Sequence, residues 1–396
     1  MKETTKKPRL RFKGFTDDWE QRKLSDVAEI SMGQSPNGEN YTDNPDDTIL
    51  VQGNADIKNG WVKPRIYTKQ ETKIAEKGDI ILTVRAPVGE VALTKYRVVL
   101  GRGVAGIKAS MFIYHLLRKY NTVNYWRIYS TGSTFESINS DDIKNANVLI
   151  PNEEESVQVA SLFSSIDYLI TANQRQLDKL QELKKGLLQK MFPKNGAKIP
   201  ELRFDGFTDD WEQRKLGELS DIRRGASPRP IKSKKWFSED SDVGWLRISD
   251  VTEQHGKIEH VEQHLSEAGI KKTLVLEEPH LILSIAASVG KPVINYIKTG
   301  IHDGFIVFLN PKFNINFMYQ FLEFYESSWQ KYGQPGAQVN INSELVRNLQ
   351  IFIPNTTEQK VVSNIFIKVD DLITANQRQL DKLQELKKSL LQKMFI

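Results

Sequence analysis

Six basic side chains crowd one turn-rich stretch: Arg223, Arg224, Arg229, Lys232, Lys234 and Lys235. No acidic residue stands among them, and Trp236-Phe237 follows directly. Cations grouped this way can neutralise a phosphate backbone, and a ring beside them can press towards a groove, so the stretch is a candidate for DNA contact. The first half offers more scattered candidates, Arg65, Lys69, Arg85, Arg97 and Arg102. A charge run is also the ordinary face a protein turns to water. The adjoining aromatic pair is what sets 223–237 apart.

Bond-making chemistry finds weaker footing. The chain has no P-loop pattern, and its six His show no zinc spacing. Gly101-Arg102-Gly103 lacks the third glycine and the helix of a dinucleotide loop. Asn44-Pro45-Asp46-Asp47 echoes the Asn-Pro-Pro-aromatic motif of amino-methyltransferases, without the second Pro or the aromatic that would hold a flipped base. Pro45-Asp46 with Glu71-Thr72-Lys73 fits the loose carboxylate pattern of metal-dependent nucleases, but nothing equivalent occurs in the second half. His302-Asp303 reads as a turn or polar contact. The expectation is therefore no catalytic, cofactor or metal site.

Composition sets the frame. A chain of 396 residues predicts two or three domains. Hydrophobic content of 39% and charged content of 27% are those of a globular protein. The absence of Cys removes disulfides, thiolate metal sites and Cys nucleophiles together, and fits a reducing cytoplasm. The basic N-terminus has no apolar stretch behind it, so no secretory signal is expected. No apolar run nears the ~18 residues of a membrane span. A net charge of +5 permits nucleic-acid binding without requiring it.

The elements that must position these residues are announced by repeats. Leu169–Lys185 and Leu372–Lys388 are identical letter for letter, 203 positions apart. Leu10–Leu24 and Leu202–Leu216 differ only at Lys13/Asp205. The order is an opener, a variable region and a long helical pattern, twice over. Ile166, Ile170, Asn173, Leu177, Leu180, Lys184, Leu187 and Met191 step by four and three, as do Val369, Ile373, Asn376, Leu380, Leu383, Lys387, Leu390 and Met394. That seven-residue seam predicts paired helices over 153–191 and 356–394, each roughly 58 Å long at about 1.5 Å per residue. Pro151 and Pro354 precede them and Pro193 stops the first. Chain connectivity makes an antiparallel pair the simplest arrangement. In an aligned pair Asn173 and Asn376 would lie close together and fix register.

Between opener and helix the halves share an outline. Gly33-Gln34-Ser35-Pro36 and Gly225-Ala226-Ser227-Pro228 mark equivalent turns. Ile80–Val84 and Leu281–Ile285 read as buried strands, and Val104–Ile107 and Phe305–Leu309 as further ones. Aromatic-rich helical stretches follow at about 111–128 and 314–330. Then come Gly132-Ser133-Thr134 and Gly336-Ala337-Gln338, an Ile-Asn-Ser triplet at 138–140 and 341–343, and an apolar strand ending in Ile-Pro. The openers, with Trp19 and Trp211, read as aromatic plugs on a domain edge. The alternative for them is a docking patch shared by both halves. The expected organisation is a first α+β domain at 1–151, a helix at 152–192, a linker at 193–199, a second domain at 200–354 and a second helix at 355–396. Outward helix positions repeat as faithfully as the seam, which a single partner binding once per half would explain, as would a recent duplication.

This arrangement resembles the specificity subunit of type I restriction–modification enzymes. The likeness rests on the openers at 10–24 and 202–216, the approach to each helix, and the repeats at 169–185 and 372–388. It implies two pseudo-two-fold-related α+β target-recognition domains joined by two long antiparallel coiled-coil helices. It implies further that each domain reads one half of a bipartite, asymmetric double-stranded DNA site. The helices would set the spacer and dock two methyltransferase subunits, through which restriction subunits are recruited. S-adenosylmethionine, ATP and Mg2+ would sit on those partners and none on this chain, which would be non-catalytic, bacterial and cytoplasmic. Rival readings are a coiled-coil scaffold pairing two protein-binding domains, and a self-sufficient nuclease.

Overall fold

The computed structural model describes residues 6–128, 137–194, 196–254, 256–286, 289–332 and 341–396. Gly132-Ser133-Thr134 and Gly336-Ala337-Gln338 lie outside them. Packing groups the chain into two compact units, residues 1–174 with 378–396, and residues 175–377.

The first unit is built on two sheets. One orders Glu29–Met32, Val104–Lys108, Ile80–Thr83, Val91–Leu93, Trp61–Val62 and Ile57–Lys58. The other orders Tyr41–Thr42, Ile66–Thr68, Thr48–Val51, Val98–Leu100 and Ile74–Ala75. Ile80–Thr83, Ile-Ile-Leu-Thr, is buried throughout, as a mostly apolar central strand covered on both faces is. The second unit repeats the plan. Asp221–Arg224, Phe305–Leu309, Leu281–Ser284, Pro292–Asn295 and Lys257–Ile258 form one sheet; Gly244–Leu246, Thr299–Ile301 and Leu274–Leu276 form the other. The aromatic stretches become the helices Met111–Thr122 and Ile315–Tyr325, capped by Ser110 and Asn314, each followed by a tighter 3-10 segment.

The two long helices span Glu153–Met191 and Thr356–Met394. Each unit takes the first part of one and the last part of the other, and in both the segments run antiparallel. In the first unit Phe163 meets Phe395, at 5.4 Å between ring centroids, while Asp167 meets Lys387. In the second, Lys184 meets Asp370 at 2.7 Å and Phe192 stacks near Phe366 at 6.1 Å. Of the seam residues, Ile166, Leu177, Met191, Val369, Asn376, Leu380, Lys387 and Met394 are buried. Ile170, Asn173, Leu180, Leu187, Ile373, Leu383 and Leu390 are half-buried. These registers set Asn173 level with Leu383 and Asn376 level with Leu180. The Asn173 amide donates instead to Leu169 O of its own helix, at 2.8 Å. Cross-helix register within the units is carried by the Lys–Asp pairs.

The openers are straps. Each adds a short strand, Glu20–Lys23 against Asn147–Ile150 and Glu212–Lys215 against Gln350–Ile353. Arg11 grips Glu155 with two bonds, of 2.6 and 2.7 Å, and Trp19 Nε1 donates to the same carboxylate at 3.2 Å. Arg203 and Trp211 hold Glu358 in the same way. Both Glu residues lie in the first turn of a long helix, where a carboxylate is favoured. Backbone bonds from Leu10 to Lys393 O and from Leu202 to Lys190 O fasten each strap to a helix end. Among the described residues no helix is long and apolar enough to cross a membrane.

Candidate nucleic-acid interface

The Gly-x-Ser-Pro turns organise the same corner in both units. Gly33 N donates to Val104 O and Gly225 N to Phe305 O, each at 2.9 Å. A Cβ on Gly33 would stand 2.0 Å from Gly101 O, and one on Gly225 2.2 Å from His302 O, so only glycine fits. Ser35 Oγ accepts from Arg102 N and Ser227 Oγ accepts from Asp303 N, each at 3.1 Å. Thr72 and Thr273 donate to the turn carbonyls of Gln34 and Ala226, at 2.5 and 2.6 Å. One backbone frame thus presents Arg102 in the first unit and Asp303 in the second.

Asp303 is what gathers the basic cluster of the second unit. Arg229 pairs with its carboxylate at 2.5 Å, Arg224 Nε donates to its backbone carbonyl at 2.5 Å, and Ser227 Oγ donates to Oδ1 at 2.9 Å. Although its own burial acts to raise the Asp303 carboxyl, the Ser227 bond and the neighbouring cations hold it below the usual carboxylate range. Arg223 and Arg224 lie exposed on Asp221–Arg224. Lys232, Lys234 and Lys235 are exposed on the following loop. Trp236, singled out as a groove-pressing ring, is instead buried, its Nε1 donating to Pro230 O at 3.0 Å and Lys235 lying 4.2 Å over its face. An indole with a buried donor pays off best by packing the loop down.

Beside this loop opens a cleft of about 480 Å³, walled by Phe237, Trp245, Ile231 and Ile248, with Arg247, Gln263 and His302 reaching it and Lys232 and Lys234 at its lining. His302 Nδ1 accepts from Gly304 N at 2.8 Å, although it also lies 3.1 Å from Asp303 Oδ1. The acceptor role fixes a neutral ring with its proton on Nε2. Burial, the largest influence, pushes the imidazole down in agreement, against the opposing pull of Asp303.

In the first unit the basic candidates are spread. Arg65 donates to buried Asp56 at 2.8 Å, and Asp56 in turn accepts from the backbone of Gln52 and Gly53. Arg102 stands exposed at the Ser35 turn, Arg85 exposed beside Ser137, and Lys69 exposed where its backbone meets Asn40 O. Arg97 is engaged by Glu71 and Glu76. Glu71, one of the nuclease-pattern carboxylates, is thereby committed to Arg97, whose bond holds it below its ordinary range, and to Thr48. Among the described residues no group of three or more acidic or His side chains could hold a metal ion. Trp245, Arg247 and Gln263 escaped the sequence reading because they lie on short strands and a loop without charge clustering. Setting the two halves level on the strands Ile80–Thr83 and Leu281–Ser284 would have placed Arg102 opposite Asp303 and drawn attention to that corner.

Comparison with known proteins converges on one group. The family model described as "Type I restriction modification DNA specificity domain" matches twice, at residues 16–182 and 208–385. The putative type I restriction enzyme MjaX specificity subunit of Methanocaldococcus jannaschii is 29% identical over 181 residues, 43% of this chain and 42% of that protein. The MjaIX specificity subunit of the same organism is 24% identical over 262 residues, 58% of this chain and 57% of its own. These two matches thus span about half the length of each relative. The MjaVIII specificity subunit is 23% identical over 408 residues, 95% of this chain and 91% of its own. Among solved structures, the type I restriction–modification S subunit from M. genitalium matches with a TM-score of 0.69 at 16% identity, covering 98% of this chain and 99% of that one. A chain from work on complex assembly and conformational transition of the type I R-M system matches at 0.55 and 20% identity, covering 95% and 97%. At these identities the structural likeness speaks for the fold.

Proposed function

The chain belongs to the type I restriction–modification DNA specificity family, and we propose that each of its units reads one half of a bipartite, asymmetric duplex site. The long helices set the unread spacer and dock two methyltransferase subunits, through which restriction subunits join. S-adenosylmethionine, ATP and Mg2+ act on those partners. In the second unit Arg223, Arg224, Arg229, Lys232, Lys234 and Lys235 contact DNA, and in the first Arg65, Lys69, Arg85 and Arg102 do. Their phosphate contacts position the units, while base contacts specify.

The observation that carries this reading is a contrast. The straps repeat with a single change and the helices letter for letter over 169–185 and 372–388, whereas the loops that surround the Gly-x-Ser-Pro corner differ in charge and ring content. Two readers of unlike sequence on a common mount require that division. Replacing residues 25–150 with the matching region of another family member should change one half-site and leave the other intact, read by selecting bound duplexes from a randomised pool. Loss of both half-site preferences together would refute independent reading.

A further inference from the structure

We propose that the cleft of the second unit is a nucleobase pocket, taking one base of that unit's half-site drawn out of its stack. The inference rests on the reading of this unit as a DNA-binding domain and adds to it a site, a ligand class and the residues that select.

The cleft lies within the ~300–1,000 Å³ range of small-ligand sites, and its walls are mostly apolar and aromatic. Trp245, almost fully buried, is part of the lining. Phe237 stands 6.5 Å from it between centroids and His302 5.6 Å, so three rings cluster at the lining. Any base offers a π-face to such walls. A concave site cannot reach into a groove to read a stacked base edge. A base must come to it, as in proteins that extrude nucleotides into pockets.

The polar groups that reach the cleft match a base edge. Among the described residues no hydrogen bond engages the half-buried Gln263 amide, although its backbone carbonyl accepts from Trp245 N at 2.8 Å and so fixes where the side chain starts. His302 spends Nδ1 on Gly304 and leaves Nε2–H as a single fixed donor. Arg247 is held by Asp250 and Glu262 through Nε and Nη2, a brace that orients its remaining nitrogen. A side-chain amide offering one donor and one acceptor pairs best with the adenine edge. Lys232 and Lys234, exposed at the lining, supply cations for the displaced backbone. The strand pairings make Leu50 the first-unit counterpart of Trp245, and Gly101 that of His302. The first unit therefore lacks both ring walls, and the pocket belongs to one half-site.

The test uses the full chain and duplexes carrying the second unit's half-site. A mismatch or abasic partner is placed opposite each base in turn, and each base is varied in turn. Binding should tighten on the order of tenfold at one position when its partner is removed, since the unpairing cost then falls. Gln263→Leu should relax base preference at that same position by about 5- to 100-fold, and Gln263→Glu should shift it. His302→Asn keeps an acceptor for Gly304 N but removes the Nε2 donor, and should weaken preference there without changing the other half-site. Wild-type binding that tightens at no position, or Gln263 variants that bind DNA with unchanged preference throughout, would overturn the pocket while leaving DNA reading in place. A wild-type chain with no salt-dependent affinity for duplex DNA would overturn the DNA-reading assignment, and the pocket with it.

Discussion

If the long helices set the spacer, lengthening both by one heptad must lengthen it. Repeating residues 170–176 after Gln176, and 373–379 after Gln379, keeps the seam continuous, because Ile170 and Asn173 recur in phase with Leu177 and the second helix matches it letter for letter. Seven residues at ~1.5 Å each add about 10.5 Å. At ~3.4 Å per base pair along one strand this is about 3 base pairs. A heptad falls ~20° short of two helical turns, so the reader turns little about the helix axis. Three base pairs rotate the duplex by roughly 100°, given 10–10.5 base pairs per turn. The two readers would then meet grooves out of phase, and binding should weaken even as the preferred spacer grows.

The assay is selection of bound duplexes from a library in which half-sites and spacer length both vary. The expected result is a preferred spacer longer by about two to four base pairs, two unchanged half-sites and reduced affinity. Insertion into one helix alone serves as the control. The Lys387–Asp167 and Lys184–Asp370 pairs cannot then both keep their register, so stability should fall. A doubly lengthened, folded protein that still selects the parent spacer would refute the ruler.

Two further predictions concern what holds the scaffold. Glu155→Ala strips Arg11 and the Trp19 indole of their shared acceptor in a buried site, and should cost about 3–5 kcal/mol. Glu358→Ala should cost much the same, because Arg203 and Trp211 repeat the arrangement; a denaturant midpoint change within the ±0.5 kcal/mol of a surface substitution would show the straps to be ornamental. Burial pushes the Lys387 ammonium down to about 8, with Arg118 adding repulsion and Asp167 opposing. Its native affinity for the proton is thus below that of the unfolded chain, so its own contribution to stability rises with pH from about 8 towards the unfolded value of about 10.4. Lys387→Met should be neutral or stabilising at pH 7, since Asp167 keeps Arg118 at 3.0 Å, and the stability of the variant relative to wild type should fall by roughly 2–3 kcal/mol by pH 10.5. A variant whose stability relative to wild type rises with pH would reverse this account.

The long helices were legible to their end residues because nothing tertiary competes with them: a seam of unbroken period and flanking Pro residues fix both length and face. The central strands at 80–83 and 281–284 were legible for a similar reason, as short continuous apolar runs. The second sheet of each unit was not. Its strands, such as Tyr41–Thr42 and Gly244–Leu246, hold two to four residues and carry too little pattern to separate from loops. The register marker was misassigned for a different reason. Asn at a seam position commonly fixes register, but here Lys184 and Lys387 occupy the same seam and find carboxylates across the pair. In this pair the cross-helix bonds come from those ammonium groups, while the Asn173 amide bonds within its own helix. Trp236 likewise read as a reader because it follows a basic run, when its own indole anchors that run.

Ser35 and Ser227 explain how two readers can diverge without refolding. Each hydroxyl accepts from the backbone N–H of the residue at the corner, and Ser227 Oγ donates in addition to the Asp303 carboxylate. Because the shared bond is to the backbone N–H, the side chain there can differ, and the two units carry opposite charges at it. Arg102 projects a cation. Asp303 instead turns inward on Arg224 and Arg229 and recruits two cations from a neighbouring strand and loop. Positive charge is retained at the corner in both, but its source and placement differ. Changes confined to this position and the loops that answer it alter the charge presented there while leaving the sheet registers, the straps and the helices untouched. That is the physical condition under which a specificity domain can vary on a fixed mount.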